Sequence, residues 1–77
     1  MGRKPIPRPS YFDTCEYLGY RYGERRWRDS AARRLLTWDS LHGEIEAFDF
    51  RGRHVGVLDA ITGVMIKEPR IGRRIRV

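Results

Sequence analysis

From about Trp27 onward the chain breaks into short apolar runs, each closed by turn residues. That cadence restricts it to a small sheet of short strands. Leu35 to Trp38 reads as one strand, Glu44 to Phe50 as a second and His54 to Leu58 as a third, with Arg51-Gly52 turning the chain between the last two. Asp59-Ala60-Ile61-Thr62-Gly63 fits a hairpin turn in which Gly63 supplies a positive φ. Val64 to Lys67 makes a fourth strand, and Arg73 to Val77 a fifth at an edge. Short strands and tight turns imply antiparallel pairing and pronounced twist. Upstream, Pro5, Pro7 and Pro9 favour an extended arm over residues 1–9. Ser10 followed by Asp13 has the form of a capping box, which predicts a helix from about Tyr11 to Leu18 that stops at Gly19. The expected fold class is α+β: a short N-terminal helix, then a small, highly twisted antiparallel β-sheet of about five strands. Residues 1–23 are expected to form the arm and helix, and residues 24–77 the core of a single domain.

Charge narrows the function. Sixteen Lys and Arg face ten Asp and Glu, a net charge of +6, and the pI is about 10.2. Fourteen of the sixteen bases are Arg, the side chain whose planar fork grips phosphate and stacks on bases. A domain this basic fits a nucleic-acid partner. One cysteine, Cys15, excludes an internal disulfide, and the chain does not require an oxidising compartment. No stretch is apolar enough to span a membrane, and the basic N-terminus lacks the apolar core of a signal peptide.

Within this basic chain lies an acidic island. Arg21 to Arg34 holds six arginines and Lys67 to Arg76 five bases, yet residues 39–49 contain Asp39, Glu44, Glu46 and Asp49 with no Lys or Arg. A surface built only to hold phosphates gains nothing from carboxylates at its centre. A ribonuclease does: it needs a base for the ribose 2′-OH, an acid for the leaving 5′ oxygen and a cation over the charge between them. His42 stands inside the island. If residues 42–46 are extended, His42, Glu44 and Glu46 share one sheet face while Ile45 and Ala47 face the core. Carboxylates crowded in that way become better bases. The bland readings are a solvated strand face for Glu44 and Glu46 and one more phosphate contact for Arg73. A metal site of Asp39, His42, Glu44 and Glu46 matches no strong ligand pattern, so no metal or other cofactor is expected.

The segment Trp38-Asp39-Ser40-Leu41-His42-Gly43-Glu44-Ile45-Glu46 resembles the cytotoxic domain of the ribosome-inactivating colicins and of cloacin. Arg26-Trp27 and Arg33-Arg34 upstream, and His54-Val55-Gly56, Asp59, Thr62-Gly63, Lys67 and Arg73-x-Ile75 downstream, keep that family's order. The resemblance covers about Arg25 to Ile75. Arg25 stands where the family often has Lys, and Phe48 where some relatives carry an aromatic hydroxyl.

The resemblance implies metal-independent endonucleolytic cleavage of small-subunit (16S) ribosomal RNA in the decoding centre, which stops translation. It implies Asp39, His42, Glu46 and Arg73 as catalytic residues, with Glu44 as a supporting carboxylate. Glu46 would take the 2′-OH proton with help from His42. Asp39 or protonated His42 would act as acid, Arg73 would steady the phosphate, and the product would be a 2′,3′-cyclic phosphate. It also implies an acidic immunity or antitoxin protein as partner, and action in the bacterial cytoplasm. Met1 points to a free-standing toxin, and an excised end of a larger delivered toxin fits the same residues.

For RNA contacts the candidates are Arg25, Arg26, Arg33, Arg34, Arg53, Lys67 and Arg74, with Trp38 and Phe48 to stack on a base. Trp27 is expected in the core. Two other readings fit the same residues: a non-catalytic RNA-binding module, and a ribonuclease of this fold acting on transfer RNA.

Overall fold

The computed structural model describes residues 3–77; the first two residues of the expected arm lie outside the described ones. A short 3-10 turn, η1 (Tyr11–Thr14), precedes six strands: β1 (Glu16–Arg21), β2 (Glu24–Asp29), β3 (Arg34–Asp39), β4 (Glu44–Asp49), β5 (His54–Leu58) and β6 (Met65–Lys67). They form one sheet in sequence order, every neighbour antiparallel.

The expected α+β class is therefore corrected to an almost entirely antiparallel β fold, with no α-helix among the described residues. The capping box is real, since Ser10 N–H donates to the Asp13 carboxylate at 3.0 Å, but it caps a single turn. Tyr11, Phe12, Tyr17 and Tyr20 favour extended backbone over helix, and from Glu16 the chain pairs with β2 instead. The expected strand over residues 73–77 is likewise absent; there the tail makes only an isolated bridge between Arg53 and Arg74. Four of the expected strands correspond to β3 to β6, and β1 and β2 are additional. A two-residue turn joins those two, Tyr22 (φ 54°) and Gly23 (φ 86°). Two successive positive φ values match the twist of a hairpin, and the second is free of cost only in glycine.

Residues opposite one another across the ladder share a face. Trp27, Leu36 and Ala47 lie in one such row, and Trp38, Ile45 and Leu58 in the next. The N-terminal segment covers this face: Phe12 stacks on Trp27 with ring centroids 3.7 Å apart and joins Leu36, Ile45, Ala47 and Leu58 in the buried core. Stacking of that kind adds about 0.5–1.5 kcal/mol to the value of the buried area. The other face carries the row Arg26, Thr37, Glu46 and Val57.

Candidate active site

Two turns and one bulge assemble the cluster on that second face. Asp39 ends β3, Glu44 begins β4 directly opposite it, and Ser40 to Gly43 loop between them. The loop is tied by Gly43 N–H to the Asp39 carbonyl at 2.8 Å. One Asp39 oxygen accepts the backbone N–H groups of Leu41 and His42, and the other meets His42 Nδ1 at 2.7 Å. Partial burial pushes the Asp39 carboxyl up, but the ring and backbone donors of His42 and the Leu41 N–H outweigh it and hold the group below its ordinary value. His42 thus reaches the site from a turn, not from the extended strand expected of residues 42–46, and its side chain is 57% exposed.

The second His–carboxylate pair depends on the bulge. Ala47 opposes Gly56 but Phe48 opposes His54, so Val55 is the extra residue. Val55 packs toward the core, and His54 takes the place across from Phe48 on the Glu46 face. There His54 Nε2 meets Glu46 Oε1 at 2.7 Å, and both side chains are less than a tenth exposed. His54 Nδ1 accepts the backbone N–H of Arg70 at 2.9 Å. A nitrogen that accepts an N–H carries no proton, so Nε2 bears the ring proton and donates it to Glu46. Sequence reasoning did not place His54 in the site. Its signal was its membership of the motif with Val55 and Gly56; what concealed its role was a bulge that strand alternation does not reveal.

Arg73 arrives from the tail. His54 N–H donates to the Arg73 carbonyl at 3.0 Å, and Ile75 N–H to the Gly52 carbonyl at 2.8 Å. Gly52 (φ 87°) is required here, because a Cβ would collide with the Ile75 carbonyl oxygen. Held in this way, Arg73 Nη2 lies 3.9 Å from Glu46 Oε1, and the guanidinium lies over the Phe48 ring. Asp39, His42, Glu44, Glu46, His54 and Arg73 line one cleft of about 150 Å³.

The remaining candidates fall in different places. Lys67 Nζ bonds Glu44 at 2.9 Å at the edge of the cleft. Arg26 lies on the Glu46 face, 4% exposed, and its Nε has no partner among the described residues. Arg33 stands over the Phe50 ring, and Arg74 is exposed. Arg34 pairs with Asp29 at 2.7 Å and Arg53 with Asp49 at 2.8 Å. Arg25 lies over Trp27, on the face opposite Glu46. Trp38 donates its indole N–H to the Lys4 carbonyl at 2.9 Å, under the N-terminal arm. Phe48 is fully buried, its ring in edge contact with His54.

Asp39, His42 and Glu44 offer ligand atoms within 4.8 Å of one another, which is the spacing a metal ion needs. One Asp39 oxygen is bonded to His42 Nδ1 and one Glu44 oxygen to Lys67. Among the described residues no helix is long and apolar enough to cross a membrane.

The Cytotoxic family model matches residues 19–76. Over 53 residues the chain is 38% identical to colicin E3 of Escherichia coli, covering 68% of this chain and 10% of that one. It is 38% identical to cloacin over 52 residues and 36% identical to colicin-E6 over 52 residues, both also of Escherichia coli, each covering 66% of this chain and 9% of the relative. The chain spans about a tenth of the length of the curated relatives it matches. The matched region takes in the Ser40 to Gly43 turn, Gly52, the bulge at Val55 and Arg73 of the tail, which build the cleft, and the chain belongs to the Cytotoxic family.

Proposed function

We propose that this chain is a metal-independent endoribonuclease toxin that cuts small-subunit ribosomal RNA in the decoding centre and so stops translation. The observation that carries the reading is the approach of Arg73 to within 3.9 Å of the Glu46 carboxylate, in a cleft bordered by the Asp39–His42 pair. A base and a phosphate-binding cation at that separation suit a ribose 2′-OH and its own phosphodiester.

Glu46 takes the 2′-OH proton as the 2′ oxygen attacks phosphorus. His54 is a positioning residue: its Nε2–H fixes one Glu46 oxygen. Arg73 stabilises the charge that builds on the non-bridging oxygens. The P–O5′ bond breaks, the 5′ oxygen takes a proton, and a 2′,3′-cyclic phosphate remains. Asp39 is a poor donor for that proton, because its carboxyl is held in the ionised form by its hydrogen bonds. His42 is the better one: Asp39 occupies Nδ1 and leaves Nε2 for the leaving oxygen. Glu44 and Lys67 neutralise one another beside the cleft.

The protein partner is an acidic inhibitor, drawn by the net charge of +6, and the site of action is the bacterial cytoplasm. The test is to incubate intact ribosomes and purified transfer RNA with the protein in the presence of a chelator and map the ends. Cleavage of ribosomal RNA at one decoding-centre linkage, leaving a cyclic phosphate, is expected. Cleavage of transfer RNA alone, or none without added metal, overturns the reading.

A further inference from the structure

Beyond the cleft, the Glu46 face holds a second concavity. Arg26 and Arg28 of β2 and Leu35 of β3, with Arg21, Arg33 and Phe50, line a hollow of about 520 Å³. No Asp or Glu side chain lines it. Arg28 has an acidic partner outside the hollow, Glu16 at 3.1 Å. Arg26 has no carboxylate partner among the described residues: it is 4% exposed, its Nε is buried without a hydrogen-bond acceptor, and its guanidinium lies 5.6 Å from the centre of the Tyr22 ring. Arg34 also leaves its Nε unpaired, yet its Nη2 is bonded to Asp29. A buried guanidinium N–H left without an acceptor is costly, and that cost falls once an anion enters from outside.

The position of Arg26 says which anion. It opposes Thr37, and Thr37 opposes Glu46, so two strand spacings, about 10 Å, separate the Arg26 and Glu46 backbones on the same face. The Arg33 guanidinium lies 5.5 Å from the centre of the Phe50 ring. A flat cation–aromatic surface of that kind suits a stacked base. We infer that this hollow is a second RNA subsite, in which Arg26 receives a backbone phosphate and Phe50 with Arg33 receives the base of a nucleotide beyond the one cut at Glu46. The inference rests on the ribonuclease reading above. An acidic protein could also meet these arginines, but the shared row with Glu46 and the aromatic floor favour RNA.

The test uses the Glu46→Gln protein, expected to hold RNA without cutting it, and a series of single-stranded RNAs of increasing length read by fluorescence anisotropy. The reference protein should gain affinity as the strand grows long enough to reach the hollow. Adding Arg21→Ala with Arg33→Ala, both at exposed or turn positions, should remove at least about 5-fold of that gain. The slope of affinity against salt should fall by roughly 0.7 for each phosphate that the variant no longer holds. Arg26→Met should weaken binding of long RNA while raising the melting temperature, because it removes an unpaired buried charge.

Unchanged binding at every length overturns the subsite. So does equal weakening at every length, which marks a general charge effect, and so does loss of affinity for an acidic inhibitor with RNA binding intact. A lower melting temperature for Arg26→Met overturns the unpaired-charge argument. Failure of the wild-type protein to cut any RNA instead sinks the reading beneath, so the two failures are distinguishable.

Discussion

Two histidine–carboxylate pairs border the same cleft at the same 2.7 Å separation, and they are built for opposite purposes. In the Asp39–His42 pair the imidazole stands on a turn and is 57% exposed. In the Glu46–His54 pair the imidazole is 3% exposed, and its far nitrogen is closed by the Arg70 N–H. The first ring has a nitrogen left to exchange a proton; the second has none. Distance alone would make them equivalents. Burial and the partner of the second nitrogen make one a candidate proton carrier and the other a fixed support.

The comparison is broken most sharply at Glu46. Glu46→Gln should cut RNA cleavage by about 10²–10⁴-fold and leave RNA affinity equal or higher; single-turnover cleavage and anisotropy decide it. Next, His54→Ala leaves a buried carboxylate and the Arg70 N–H unpaired. It should cost about 3 kcal/mol in urea unfolding, and His54→Gln, with both a donor and an acceptor, should recover part of that.

Acid gives the third effect. The Asp39 carboxyl has a folded pKa below its unfolded value, so its contribution is present above about pH 4 and is lost as pH falls through the folded value. Asp39→Asn should flatten the decline of the urea midpoint between about pH 5 and about pH 3; an unchanged decline would assign it to the other carboxyls held below their ordinary value by hydrogen bonds, Asp29, Asp49 and Asp59. The smallest effect is on stability in His42→Ala, under about 1 kcal/mol for so exposed a pair, although cleavage should fall steeply. A large loss of stability there would erase the contrast between the two pairs.

The sequence made β3 to β6 legible because their apolar residues recur between turn residues at Arg51-Gly52 and Asp59-Gly63. It hid β2 because Glu24 to Asp29 is mostly charged, and the burial of Arg26 and Asp29 depends on what lies across the sheet. It hid β1 because the capping signal at Ser10 and Asp13 does not say how many turns will follow. In the cleft, Asp39, His42 and Glu46 are legible from the acidic island, yet by an argument that puts His42 on a strand, whereas Arg73 stands out only through the resemblance to the colicin family. The turn at Ser40 to Gly43 brings His42 there by another route. His54 needed the bulge, and a bulge is a property of two strands together.

The attachment of the tail carries one more consequence. Arg73 belongs to a stretch held against the start of β5 by a few main-chain bonds and by the clearance at Gly52. The cation thus comes from outside the sheet, whose six strands pair without the residues that carry it. Clipping the chain after Arg70 should leave a folded, RNA-binding shell with no cutting power, and a peptide of the lost residues should switch it back on.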